Sequence, residues 1–400
     1  MTSVTGSAHI GIAGAGVLGR LLAWQLSHAG HRVEVFDPAP GPEPRSDGLG
    51  PAGFTAAGML SPLAELDAAG PEVATLGLRS VTLWAEVAQR LAVLDGQGDA
   101  ARYFRQHGSL LLAHGPDLGA AQRVLSRLST APAGMAVPTR LTRPGLAELE
   151  PALLPGLHAW YLDGEAQVMP QQVLPALCAF AQDVQWHWGR TVTQTAPGRI
   201  TLDDGTSTGF DLVFDVRGLG ARPPPPSVIP ANAGTHSGAA SGAPWVPACA
   251  GMTGDGGWAA GLRGVRGEVI WLHAPGVRLT RPLRLLHARH RVYIVPRPDD
   301  RIVIGASEIE SEDRSPVSLR SAVELMAAAH SVLPALAEAR IHHMETNLRP
   351  ALPDNAPKLT VEPGRVAING LFRHGWLLAP ALIEQALQQV ALPLMSQELT

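Results

Sequence analysis

Three glycines spaced as Gly14-x-Gly16-x-x-Gly19 separate a short apolar run, His9-Ile10-Gly11-Ile12-Ala13, from a segment in which Leu21, Leu22, Ala23, Leu26 and Ala29 keep helical spacing. The chemistry open to such a spacing is to hold a pyrophosphate. The first glycine permits a tight turn, the second lets the main chain approach the phosphates, and the third lets helix and strand pack closely. The free N–H groups at the helix start, around Val17 and Leu18, then face the anion together with the positive end of the helix dipole. A second run, Val33-Glu34-Val35-Phe36, ends in Asp37, about 20 residues on, where a carboxylate can accept hydrogen bonds from a ribose. The pattern predicts the βαβ start of a dinucleotide-binding domain. It does not choose between NAD and FAD, which present the same phosphate geometry.

A second set of candidate residues is cationic. Arg297 follows Tyr293-Ile294-Val295-Pro296, Arg349 stands in Asn347-Leu348-Arg349-Pro350, and Arg373 lies in Gly370-Leu371-Phe372-Arg373-His374-Gly375-Trp376, each where a sheet-lined pocket would end. A planar guanidinium can bind a carboxylate through two parallel hydrogen bonds, which fixes orientation as well as supplying charge. Taken alone, Arg349 reads first as a surface or interdomain ion pair and Tyr293 as a core residue. Other chemistries are excluded more firmly. Lys358 is the single lysine and sits in the Pro- and Asp-rich stretch from Pro353, which reads as a solvated turn rather than a Schiff-base site. Two cysteines, Cys178 and Cys249, cannot make a four-cysteine metal site. The adjacent His342 and His343 would point to opposite faces of a strand, so no metal is expected. Glu268, after Arg266-Gly267, reads as a structural ion pair.

The chain that must position these residues has 400 of them, 46% hydrophobic and 16% charged, with net charge -4. That composition supports a large core and excludes a basic footprint for nucleic acid or an anionic membrane. With no basic run before Ala8 and so few thiols, the expected compartment is the cytoplasm. Helices are expected over Gly77 to Leu94, Leu118 to Leu128, Pro170 to Phe180, Leu319 to Leu333 and Leu377 to Val390. Strands are expected at Gly108 to Ala113, Val184 to Trp188, Asp211 to Val216, Val265 to Leu272 and Val292 to Val295, the last turning at Asp299-Asp300 into Ile302 to Gly305. Ala56-Ala57-Gly58-Met59 is a run of small residues where backbone can approach a planar ligand, and Arg217-Gly218-Leu219-Gly220 ends a buried strand as a cofactor contact would. From Pro223 to Gly257 the only formally charged residue is Asp255 and no periodicity survives, which predicts a low-complexity insertion.

Across nearly the whole chain, and in order, these motifs resemble the FAD-dependent D-amino-acid oxidase family, specifically the glycine oxidases of thiamine biosynthesis. The resemblance rests on the glycine fingerprint, Ala56 to Leu60, Val168 to Pro170, Arg217 to Gly220, Val265-Arg266-Gly267-Glu268, Tyr293 to Arg297, Leu348-Arg349-Pro350 and the Arg373 turn. It implies an α/β fold: a Rossmann-type FAD-binding domain from residues 1–80, 166–222 and 341–400, a discontinuous α+β substrate domain on an antiparallel sheet from 81–165 and 262–340, and an insertion at 223–261. It implies FAD held by Gly14, Gly16, Val17, Leu18, Gly19, Asp37, Ala57, Gly58, Met59, Gly218, Gly220, Gly375 and Trp376. The catalytic set it implies is Arg349 and Tyr293 clamping a substrate carboxylate, with Arg373 beside them, although His374 follows where relatives often carry Asn. The expected partners are a small amino acid and O2, giving an imine and H2O2. A related dehydrogenase that reduces a quinone, and a flavin-binding protein inactivated by the insertion, stay open at this level, as does homo-oligomerisation.

Overall fold

The runs His9–Ala13, Arg32–Asp37 and Leu212–Asp215 are buried on both faces beyond their first residues, the pattern of parallel strands covered on both sides. They sit side by side in the computed structural model, which describes residues 7–45, 47–132, 134–222, 259, 261–286 and 291–392. The expected insertion at 223–261, Cys249 included, therefore falls almost wholly outside the described residues. The strand order of the six-stranded sheet is Lys358–Glu362, Arg365–Asn369, Leu212–Asp215, His9–Ala13, Arg32–Asp37, Gln185–Trp188. All neighbours are parallel except the antiparallel edge pair Lys358–Glu362 and Arg365–Asn369. Five parallel strands thus end on one side, and the loops after Ala13, Asp37, Trp188, Asp215 and Asn369 share a single rim.

Helix Val17–His28 buries Leu18, Leu21, Leu22, Trp24 and Leu26 against this sheet, as its spacing requires. Helix Gly375–Gln389 packs beside it, and the long helix Pro71–Leu94 packs on Gly375–Gln389, with Trp84 against Trp376 at 5.2 Å between rings. The expected domain boundary at residues 80/81 therefore cuts one helix, whose apolar stripe of Val81, Trp84, Val87 and Leu91 belongs to the core around the six-stranded sheet.

The second sheet has eight strands in the order Arg340–Ala351, Arg263–His273, Arg301–Gly305, Arg291–Arg297, Leu283–Leu286, Ser109–Ala113, His158–Leu162, Thr139–Arg140. It is antiparallel apart from the pairing of Leu283–Leu286 with Ser109–Ala113. The expected boundary at 340/341 also fails to match the sheets, because the whole Arg340–Ala351 strand pairs with Arg263–His273. One face, with Ile270, Ile294, Ile304, Leu283 and Leu285, packs under helix Leu319–Val332. Alternation puts Val269, Gly305, Tyr293 and Arg284, which are successive cross-strand partners, on the other face. The expected architecture, a Rossmann-type sheet joined to an antiparallel one, is the one observed. No helix among the described residues is long and apolar enough to cross a membrane.

Candidate active site

One cleft of about 1750 Å³ runs from the shared rim of the parallel strands to the free face of the eight-stranded sheet. At the rim the glycine loop is built as its spacing demands. Gly14 has φ +104°, and a Cβ there would lie 2.8 Å from the Val216 carbonyl oxygen. A Cβ on Gly19 would lie 1.8 Å from the Gly14 carbonyl oxygen, so helix and strand touch at that point. Gly16 differs: among the described residues, its chain neighbours aside, nothing would lie closer to a Cβ there than Pro51 Cβ at 4.0 Å, so a side chain would project into the cleft. Gly16 caps helix Val17–His28 without a side-chain hydrogen bond, leaving the first N–H groups of the helix to a ligand.

Asp37 lines the cleft, but its oxygens already accept hydrogen bonds from Ala15 N–H at 2.6 Å and Ala39 N–H at 2.8 Å. The carboxylate therefore shapes the loop as well as facing the ligand; with about four acceptor sites it retains capacity for hydroxyls. Arg20, which the sequence reading passed over, is buried and donates from Nε to the Ala15 carbonyl at 2.8 Å, bracing the loop from behind.

Ala57, Gly58, Met59, Gly218, Gly220, Gly375 and Trp376 all line the same cleft. Gly58 is needed as glycine: φ is +66° and a Cβ would lie 2.5 Å from the Val168 carbonyl oxygen. Trp376 is held by an Nε1–H donated to the Gly53 carbonyl at 3.0 Å, and helix Gly375–Gln389 starts at the cleft wall. Of the expected cofactor contacts, Gly19 alone is not among the lining residues, because it faces the strand behind the loop.

At the other end Tyr293, Arg349 and Arg373 also line the cleft. The Arg349 guanidinium donates to main-chain carbonyls, Nη1 to Arg266 at 3.2 Å and both Nη atoms to Ser307 at 3.1 Å. Among the described residues no carboxylate lies within ion-pair distance of it. Burial pushes its pKa below the ordinary arginine value, with Tyr293 and Glu308 acting the other way. Burial likewise pushes the Tyr293 phenol up, against the pull of Arg349, Arg284 and Arg297. The phenol is therefore a neutral O–H donor beside a cation that no carboxylate of the described residues contacts directly.

Arg373 is differently placed. It donates to Glu65 at 2.8 Å and lies 3.5 Å from Glu308. Glu65, absent from the sequence reading, is the hub of this corner: Arg284 approaches it at 3.2 Å and His374 Nε2 at 3.0 Å. Burial works to raise the Glu65 carboxyl, but His374, Arg284 and Arg373 outweigh it and hold it well below the usual carboxylate range. A depressed carboxylate contributes stability that is present above its unfolded value, about 4.3, and is lost as pH falls through the folded one. Glu65→Gln is therefore expected to melt below the parent at neutral pH, with the gap closing on acidification below about pH 4. Melting temperatures of both proteins from pH 7 to pH 3 check this; a gap independent of pH contradicts it.

Three other sequence readings resolve here. Arg297 does not line the cleft; it is buried, donates to Gln167 at 3.0 Å, and is pushed by burial down to about 9. Arg266 and Glu268 form a buried ion pair at 2.7 Å. His342 and His343 lie on the Arg340–Ala351 strand, but instead of pointing to opposite faces their rings meet with centroids 4.9 Å apart where the register shifts, and His343 is hydrogen-bonded to Glu345 at 2.6 Å.

The sequence profile of the family described as FAD dependent oxidoreductase (DAO) matches residues 9–386. The putative thiamine biosynthesis oxidoreductase ThiO of Rhizobium etli is 35% identical over 373 residues, covering 92% of each chain. The glycine oxidase of Geobacillus kaustophilus is 26% identical over 402 residues, covering 93% of this chain and 89% of the other. Among solved structures, glycine oxidase from Geobacillus kaustophilus has a TM-score of 0.73 at 22% identity, covering 96% of this chain and 95% of that one. Iminodiacetate oxidase from Chelativorans sp. BNC1 has a TM-score of 0.70 at 23% identity, covering 97% and 96%.

Proposed function

Since the chain belongs to the DAO family and is an FAD-dependent oxidoreductase, we propose that it oxidises glycine or another small amino acid to the imine, passing the electrons to O2 to give H2O2. The observation that carries this reading is the Arg349 guanidinium, in the same cleft as the glycine loop and without a carboxylate of its own. The residues at the rim suit FAD: the open approach at Gly16 suits the pyrophosphate, Asp37 the ribose, and the small segment Ala57-Gly58-Met59 a flat ring. FAD supplies the hydride acceptor.

The remaining work falls to this chain's side chains. Arg349 neutralises the substrate carboxylate and Tyr293 donates a hydrogen bond to it, which orients the α-carbon hydrogen toward the flavin end of the cleft. The amine binds neutral, so no dedicated base is required, and Glu65 is held by Arg284, Arg373 and His374 rather than free to take a proton. For glycine the balance is loss of one hydride and one proton to give the imine, with O2 taking up two electrons and two protons. The names of the relatives support glycine as substrate and a place in thiamine biosynthesis, where the imine would serve thiazole assembly. With two cysteines in 400 residues, we assign the reaction to the cytoplasm.

Anaerobic titration of the yellow protein with glycine, sarcosine and small D-amino acids tests this. The flavin bands are expected to bleach with at least one of them, and admission of O2 to restore the colour with one H2O2 per flavin. Bleaching without peroxide, reversed only by a quinone, turns the reading to a dehydrogenase; no bleaching by any of these amines contradicts it.

A further inference from the structure

Gly267 and Gly305 stand on neighbouring strands of the eight-stranded sheet, near the clamp residues, and neither has φ in the left-handed region. Backbone conformation therefore does not call for glycine at either position. Their surroundings do. A Cβ on Gly267 would lie 2.4 Å from Cζ and Nη2 of Arg349 and 2.6 Å from its Nη1. A Cβ on Gly305 would lie 2.5 Å from Cζ and the hydroxyl oxygen of Tyr293 and 2.7 Å from its Cε2. Carbon contacts settle near 3.5–4.0 Å, so both side chains lie flat on main chain that a methyl group would occupy.

The register explains why this matters. Arg349 is on the Arg340–Ala351 strand and Tyr293 on Arg291–Arg297, with two strands between them. The guanidinium leans inward across Gly267 on one intervening strand, and the phenol leans inward across Gly305 on the other. Because Val269 pairs with Gly305, Gly267 is one same-face step away, and the two tips converge over this floor.

We propose that Gly267 and Gly305 are positioning residues for substrate carboxylate: the missing side chains let Arg349 and Tyr293 reach across the sheet to a common point. The proposal rests on the reading of those two residues as the carboxylate clamp. It separates function from folding in a way Gly19 does not. The group met at Gly19 is a backbone carbonyl that cannot move, whereas the three nearest atoms at Gly267 and at Gly305 are the ends of single side chains. A methyl group there displaces the functional group and leaves the fold.

The test uses Gly267→Ala and Gly305→Ala as purified FAD-bound proteins. They are titrated with acetate, a carboxylate without an amine, by its perturbation of the flavin spectrum, and assayed with glycine. Flavin content is expected to equal the parent's, melting temperature to stay within about 4 °C, and acetate Kd and glycine KM each to rise about tenfold. Adding Gly305→Ala to Tyr293→Ala, or Gly267→Ala to Arg349→Ala, is expected to weaken acetate no further, since the displaced group is already gone.

Unchanged acetate affinity in both glycine variants, while Arg349→Ala weakens it, overturns the proposal and leaves the clamp standing. Additive losses in the double variants, or loss of flavin in the single ones, overturn it too. If Arg349→Ala itself leaves acetate binding unchanged, the clamp reading fails and this proposal falls with it.

Discussion

Arg349→Ala is expected to weaken amino-acid binding by about 2–5 kcal/mol, or roughly 30- to 4000-fold in KM or in the Kd of a competing carboxylate. The size follows from the desolvated setting. The guanidinium is held by the carbonyls of Arg266 and Ser307, which fix its direction without neutralising it, and the described residues offer it no carboxylate. Truncation leaves the incoming substrate carboxylate at that end of the cleft with the Tyr293 hydroxyl as its remaining clamp donor. Arg349→Lys is expected to recover only part of the loss, since an ammonium is a point charge and cannot make two parallel hydrogen bonds. Flavin content is expected to be unchanged in both variants, because Arg349 lies on the eight-stranded sheet and makes no hydrogen bond to the glycine loop. Stopped-flow reduction with glycine across a concentration range separates binding from the reductive step; an unaltered concentration dependence in Arg349→Ala contradicts the assignment.

The second large effect is at the other end of the cleft. Gly16→Val is expected to give a folded protein that does not hold FAD, with affinity down on the order of 100-fold, the scale of a 3 kcal/mol overpacking cost. The protein itself has room for the new side chain, since its nearest neighbour at Gly16 is 4.0 Å away; what the valine fills is ligand space. Gly19→Ala makes a useful contrast. There the added carbon meets the Gly14 carbonyl, so the apo-protein itself is expected to melt lower. Flavin absorbance after gel filtration, with the melting temperature of each apo-protein, distinguishes the two. Retained flavin in Gly16→Val contradicts the placement of the pyrophosphate.

The glycine loop was legible in the sequence because its code is contiguous: turn, close approach and helix packing are each imposed by a residue within six positions. Asp37 was legible for a similar reason, as the end of the next strand, although its bonds to Ala15 and Ala39 were not. What lay out of reach depends on which strands become neighbours. Glu65 meets Arg284, Arg373 and His374 only because a short helix after the Ala57–Met59 segment is brought against strands and a turn from far along the chain. The only local hint was a single acid in the otherwise small and apolar stretch Ser61 to Leu66. Gly267 and Gly305 carried no turn or fingerprint signal, since their meaning comes from side chains on other strands.

Mistaken expectations have the same source. The stretch from Pro353 reads as a polar turn, and strand Lys358–Glu362 begins at the lysine placed in it because Arg365–Asn369 supplies a partner. Arg297 carries the same pattern as a pocket arginine, but two same-face steps along the strand from Tyr293 take it past the cleft to Gln167 and Met169. The boundary at residues 80/81 came with the resemblance, whereas helix Pro71–Leu94 runs unbroken across it and sets Trp84 against Trp376 of helix Gly375–Gln389.

The central claim is that an uncompensated guanidinium and the flavin share one cavity, and the most direct measurement is a crystal structure of the FAD-bound protein soaked with acetate. The account predicts the carboxylate within hydrogen-bond distance of Arg349 Nη atoms and of the Tyr293 hydroxyl, next to the flavin ring. Acetate bound elsewhere in the cleft, with Arg349 turned away from the flavin onto a protein carboxylate, would contradict it.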